Sequence, residues 1–154
     1  PDLALELGAD VPVCLKATPQ RMQGIGDVLA DVPQCPAFSL VLVNPGAHVP
    51  TPDVFRALQV KTNSPMKAMP TEGDWLAWLK AQRNDLQGAA IARAPVIADA
   101  LAVLHDAVLA RMSGSGSTCF GIYPDRICAE KAAARIAQNN PDWWVTASQT
   151  VGAS

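Results

Sequence analysis

Phe38-Ser39-Leu40-Val41-Leu42-Val43 is a nearly unbroken apolar run, bounded before by Pro36 and after by Asn44-Pro45-Gly46. An apolar run stopped on both sides by turn residues predicts a central strand buried on both faces. Reading toward the C-terminus, Leu109–Met112 and Thr118–Tyr123 are two more strand-like segments, joined by Ser113-Gly114-Ser115-Gly116-Ser117. Pro124-Asp125 then opens a helix with Asp125 as its N-cap and Cys128, Ala132 and Ile136 along one face. Asn139-Asn140-Pro141 stops that helix, and Trp143-Trp144-Val145-Thr146 reads as the closing strand.

Helices fill the stretch between the first and second of these strands. Thr51-Pro52-Asp53 predicts a helix start with Thr51 as N-cap, Pro52 in the first turn and Asp53 at the positive end, continuing through Val54, Phe55 and Leu58. Lys61 to Pro70 has no periodicity and reads as a surface loop. Further helices are expected near 73–82, 84–92 and 95–106, the last presenting Ile97, Leu101, Leu104 and Val108 on one face. From Phe38 onward the order is strand, helices, strand, strand, helix, strand. The predicted class is therefore α+β, a ferredoxin-like βαββαβ unit with extra helices in its first crossover.

Ahead of this unit, Pro1 to Leu7 reads as a helix stopped by Gly8, and Asp10-Val11-Pro12-Val13-Cys14-Leu15 reads as a short strand with Pro12 near its start or on an edge. Gly24-Ile25-Gly26-Asp27 predicts a turn between two short β pieces. The expected division is a short N-terminal remnant over 1–34 and a C-terminal domain over 35–154.

Composition narrows the functional classes. A chain of 154 residues with 49% hydrophobic residues can bury a sizeable core, and no apolar run approaches the roughly 18 residues of a membrane span. Twelve Lys and Arg against 14 Asp and Glu leave a net charge of −2, so neither nucleic acid nor an anionic membrane is expected as a partner. Only 17% of residues are charged, which points to a surface normally covered in part by something else. Cys14, Cys35, Cys119 and Cys128 have no CxxC spacing, and His48 and His105 lie far from any Cys in sequence. No metal site is therefore expected. Each Cys has apolar neighbours, which suits buried, reduced thiols in a cytoplasmic protein. No signal peptide is visible, and the absence of an initiating Met fits either processing before Pro1 or truncation of a longer chain.

Three groups of residues could carry chemistry. In Gly8-Ala9-Asp10-Val11-Pro12 a carboxylate sits between a helix stop and a strand start, where it either bonds the local backbone or projects into a cleft to accept a hydroxyl proton. In Ser113 to Thr118 the glycines let backbone N–H groups approach an anion, although without a Lys or a following helix this is no P-loop and also serves as a plain hairpin connection. The loop Asn44 to Pro52 leaves the carboxyl end of the central strand, a place ligands favour, and Phe55 one turn later either stacks on a flat ring or joins the core. His48 reads as a loop residue, and His105 as a helix-end residue.

Taken together and in order, Leu7-Gly8-Ala9-Asp10-Val11-Pro12, then Asn44-Pro45-Gly46, Pro50-Thr51-Pro52 and Phe55, then Asn84-Asp85-Leu86, then Met112 to Phe120 resemble the diphosphocytidyl-methylerythritol kinase family of the GHMP small-molecule kinases. The resemblance implies transfer of the ATP γ-phosphoryl group, with Mg2+ expected alongside, to the 2-hydroxyl of a cytidyl-linked methylerythritol in isoprenoid precursor synthesis. It implies that Asp10 is the catalytic aspartate, that Phe55 packs on the cytosine ring with Thr51 beside the substrate, and that Gly114, Ser115, Gly116 and Ser117 form a phosphate-proximal loop. In that family an N-terminal half carries the catalytic lysine and the main glycine-rich ATP loop. Neither motif occurs here, so the expected partners are that missing half and, through the surface it leaves open, a second copy of the chain. A ferredoxin-like binding or regulatory module without catalysis is the competing reading, and recognition of a cytidine diphosphate near Phe55 discriminates the two.

Overall fold

The computed structural model describes residues 3, 6, 8, 10–24, 26–32 and 34–153. Of the helix expected over 1–7, only Leu3 and Glu6 are described, both helical; the rest lies outside the described residues. The chain then runs through α1 (Val11–Lys16), β1 (Gln20–Gln23), β2 (Val28–Asp31), β3 (Ser39–Asn44), α2 (Thr51–Ala57), α3 (Trp75–Lys80), α4 (Gln87–Arg93), α5 (Val96–Ala102), β4 (Leu109–Met112), β5 (Cys119–Tyr123), α6 (Arg126–Asn139) and β6 (Trp144–Gln149).

β1 and β2 form an antiparallel hairpin, and the main sheet has the order β4-β5-β3-β6 with every neighbouring pair antiparallel. Counted from β3, that order is second, third, first, fourth, the ferredoxin-like arrangement expected from the element sequence. Strand periodicity sets the two faces. Val41 and Val43 on β3, Met112 on β4 and Cys119 on β5 share one face and are fully buried with Ile97, Leu104 and Ile136 from the helical side. Burial raises the Cys119 thiol to about 11, so it stays protonated.

The opposite face corrects the expectation of a strand sealed on both sides. Leu40 and Leu42 are half-buried, and Leu40 lines an apolar cleft of about 720 Å³ with Phe120, Trp75 and Trp78. α3 packs on this side, and Arg111 ties it down by donating to the carbonyls of Leu79 (2.9 Å) and Gln82 (2.8 Å) at its C-terminal end.

α6 follows its sequence signals closely. Asp125 is extended, and its carboxylate accepts the Cys128 N–H at 2.7 Å, a bond that also holds the carboxyl below its ordinary pKa. Ala129, Ala132, Ala133 and Ile136 face the sheet. Asp106 joins the end of the sheet to this helix, accepting from Tyr123 Oη (2.9 Å) and Arg135 Nη2 (2.8 Å). Desolvation acts to raise the Asp106 carboxyl, but these two donors outweigh it and leave it below its ordinary value.

Gly121 explains how the helical side approaches so closely. A Cβ there would meet Ala107 Cβ at 2.9 Å and Leu104 Cδ2 at 3.0 Å. Gly121→Ala should therefore destabilise the domain by about 1–3 kcal/mol through overpacking. Thermal denaturation checks this, and an unchanged Tm would mean the 103–108 turn yields freely.

Several local expectations need correction. Val11–Lys16 is a helix, not a strand. Pro12 sits in the first turn, where no intrahelical N–H is needed, and Lys16 closes the last turn before left-handed Ala17. An apolar run this short satisfies either period. α2 begins at Thr51 with Pro50 in the cap position, and no side-chain cap forms. α5 ends at Ala102; the Leu104 N–H turns back to Leu101 O (3.2 Å), so Leu104 reaches the core from a tightened turn. Among the cysteines only Cys119 is buried. Cys14 is exposed, because α1 turns it to solvent, and Cys35 and Cys128 are half-buried.

Candidate functional site

The β3–α2 connection and the β4–β5 loop leave the same end of the sheet and are clasped to each other. Asn44, the last residue of β3, donates through Nδ2 to Thr118 Oγ1 (3.0 Å) while its Oδ1 accepts from Gly46 N–H (2.8 Å) and Ser117 Oγ (3.2 Å). The single Ser117 hydroxyl proton is shared between that oxygen and Ala47 O (2.8 Å), and the residue is buried. Farther out, the hydroxyls of Thr51 and Ser115 are hydrogen-bonded at 2.7 Å. Asn84 grips the loop from the other side, donating through Nδ2 to Met112 O (2.9 Å) and Gly114 O (2.8 Å).

The glycines are required by this path. Gly114 (φ 53°) and Gly116 (φ 91°) are left-handed, and a Cβ on Gly116 would meet Met112 Sδ at 3.0 Å. Ser113 N–H bonds back to Thr118 O (2.9 Å) and Gly116 N–H to Ser113 O (3.0 Å), so the turn is closed on itself.

One cleft of about 800 Å³ gathers most of the residues singled out from sequence: Asp10, Thr51, Phe55, Gly114, Ser115 and Gly116 all line it, with the β1–β2 turn as a further wall. Ser117 does not; its hydroxyl is spent on holding the two loops together. Phe55 is 52% exposed and lines the cleft, which takes it out of the core and leaves it open to a ligand. Asp10 is exposed at the start of α1, and its carboxylate makes no cap bond.

Asp10 is the one charged side chain among the described residues that line the cleft. Anion binding here therefore draws on neutral donors, backbone N–H groups and the hydroxyls of Thr51, Ser113, Ser115 and Thr118 with the Gln23 amide, or on a cation supplied from elsewhere. Among the described residues no three His, Cys, Asp or Glu side chains converge as a metal site. A single carboxylate suits Mg2+ only as an ion carried mainly by the phosphates of a nucleotide. Asn44 and Asn84 were not legible as individual site residues. Asn44 follows a strand and precedes Pro-Gly, a pattern for a side chain bonding two residues on, but its cross-loop bonds have no local signature.

Residues 66–142 match the family described as GHMP kinases C terminal. Over 151 residues the chain is 50% identical to the 4-diphosphocytidyl-2-C-methyl-D-erythritol kinase of Rhizobium etli, covering 97% of this chain and 51% of that protein. It is also 50% identical to the kinase of the same name from Dinoroseobacter shibae, covering 94% of this chain and 53% of the relative. A crystal structure of 4-(cytidine 5'-diphospho)-2C-methyl-D-erythritol kinase superimposes with a TM-score of 0.77 at 29% identity, covering 98% of this chain and 57% of the other. A homoserine kinase from Cytophaga hutchinsonii shares the fold at a TM-score of 0.64 and 15% identity. The chain spans about half the length of the curated relatives it matches.

Proposed function

Because the chain belongs to the GHMP kinase C-terminal family, we propose that it forms the acceptor side of an ATP-dependent kinase. Its substrate in this reading is 4-diphosphocytidyl-2-C-methyl-D-erythritol, phosphorylated on the 2-hydroxyl. The observation that carries the reading is the single cleft shared by Asp10, Thr51, Phe55 and the Ser113–Gly116 loop.

In this reading the cytosine ring stacks on Phe55, with Thr51 beside it, and the sugar alcohol extends toward Asp10. The Asp10 carboxylate orients the 2-hydroxyl and accepts its proton as the new O–P bond forms and the bond from the γ-phosphorus to ADP breaks. The loop amides face the phosphoryl group. Phosphoryl transfer depends on positioning and charge stabilisation, and Asp10 is the only charged side chain of the described cleft. The positive charge and the main ATP cradle therefore come from a portion like the other half of the curated relatives. Mg2+ bound to the nucleotide would neutralise phosphate charge, with Asp10 its one nearby carboxylate. Residues 1–34 are assigned to the N-terminal unit and 35–154 to the C-terminal domain. A cytoplasmic setting suits this substrate and the four free cysteines. Among the described residues no helix is long and apolar enough to cross a membrane.

The test compares this chain alone with a chimera that joins it to the N-terminal half of the Rhizobium etli relative. The chain alone should turn over no ATP, and light scattering should show it self-associating through surface that the other half covers. The chimera should phosphorylate the cytidyl substrate. Turnover by the isolated chain would overturn the need for a second half, whereas an inactive but folded chimera would argue for the binding-module reading.

A further inference from the structure

We propose that Asn84 is a positioning residue that makes the Ser113–Ser117 loop a donor toward phosphate; this rests on the kinase reading above for its biological meaning, but not for its test. The Asn84 side chain is itself fixed, because its Oδ1 accepts the Leu86 N–H at 3.0 Å. That bond leaves Nδ2 directed at two carbonyls, Met112 O at 2.9 Å and Gly114 O at 2.8 Å. Both bonds cross roughly thirty residues of sequence, joining the start of the α4 turn to the end of edge strand β4.

The bond to Gly114 is the consequential one. A carbonyl oxygen turned into the cleft would repel a phosphate, since both are acceptors. Asn84 is not among the residues that line the cleft, whereas Gly114 and Ser115 are. The Gly114 carbonyl is thus drawn toward a side chain that is not part of the lining. The peptide that follows it is trans, and in a trans peptide the N–H points opposite to the C=O. Anchoring Gly114 O on Asn84 therefore turns the Ser115 N–H away from Asn84, on a residue that itself lines the cleft. That N–H has no acceptor among the described residues, in contrast to those of Ser113 and Gly116, which are used within the turn. One side-chain amide, held by its own neighbour, converts a flexible glycine loop into a fixed single donor. No lysine or arginine of the described cleft could do the same work.

Gln87 supplies an internal comparison. Its Oε1 accepts the Met112 N–H at 3.1 Å, so it holds the same end of β4 without touching the Gly114 carbonyl. If Asn84 merely stiffened the strand end, loss of Gln87 should act as loss of Asn84 does.

Inorganic pyrophosphate titrated into the isotope-labelled 154-residue chain, read by amide chemical shifts, tests this directly. In the native chain the Ser115 amide should shift with saturation. In Asn84→Asp, which keeps the acceptor for Leu86 but presents oxygen to the two carbonyls, the dissociation constant should rise at least tenfold. Asn84→Ala should weaken binding in the same direction, and Gln87→Ala should stay within twofold of native. Native-like binding by both Asn84 variants, equal loss in Gln87→Ala, no native Ser115 shift, or unfolding of both Asn84 variants would each overturn the proposal. The chimera's turnover is scored separately, so failure of the kinase reading leaves this result standing.

Discussion

Asp10→Asn, made in the chimera that carries the complete cleft, should lower kcat by about 10²–10⁴-fold, or roughly 3–5 kcal/mol of barrier. Asn keeps the size and one acceptor oxygen but loses the charge that orients the hydroxyl and takes its proton. KM for both substrates should change little, because the lost interaction belongs to the transition state. The structure removes the main confounding effect. Asp10 is exposed, forms no cap bond and, among the described residues, supports α1 only through its backbone carbonyl, which accepts the Cys14 N–H at 3.2 Å. Stability should therefore move by no more than about 0.5 kcal/mol. A kcat within about threefold of the parent would exclude Asp10 from the proton transfer, since a positioned base contributes at least about 10²-fold. A collapsed Tm would instead mark the residue as structural.

Phe55→Ala should act on binding and leave chemistry nearly untouched. Base–aromatic stacking contributes roughly 1–3 kcal/mol per base, so KM for the cytidyl substrate should rise about 5- to 150-fold while KM for ATP holds. The ring is 52% exposed on α2, and its helix is anchored instead by buried Val54. Removing the ring therefore opens no core cavity, and the melting temperature should stay near that of the parent. An unchanged KM for the cytidyl substrate would show that the base stacks elsewhere. A raised KM for ATP alone would reverse the assignment of the two substrates within the cleft.

These two residues show how far sequence reading reaches. Asp10 and Phe55 stand out in the sequence by their places in short motifs, and both line one cleft. The segment after Asp10 is a helix where a strand is expected, because Val11-Pro12-Val13-Cys14-Leu15-Lys16 fits a helix start as well as a strand. Six residues hold too few repeats to separate the two periods, and Pro is tolerated in both settings. Ser117 belongs to the glycine loop in sequence, and its hydroxyl bonds Asn44 and Ala47, contacts that only tertiary packing creates.

The amino-acid sequence by itself determined the elements whose signals are local. These are the apolar β3 run, the Asp125-capped α6 with its buried alanine face, and the glycine hairpin between β4 and β5. Their order was enough for the ferredoxin-like sheet, because few topologies join such elements with short, right-handed connections. Tertiary structure alone decided which face of β3 was sealed, which cysteine was buried, and that residues 10, 51, 55 and 113–116 share one cavity. It also decided that Asn84 turns a carbonyl 30 positions away. Period and capping are properties of neighbours along the chain, whereas a cleft and a cross-loop hydrogen bond exist only once packing has brought distant segments together.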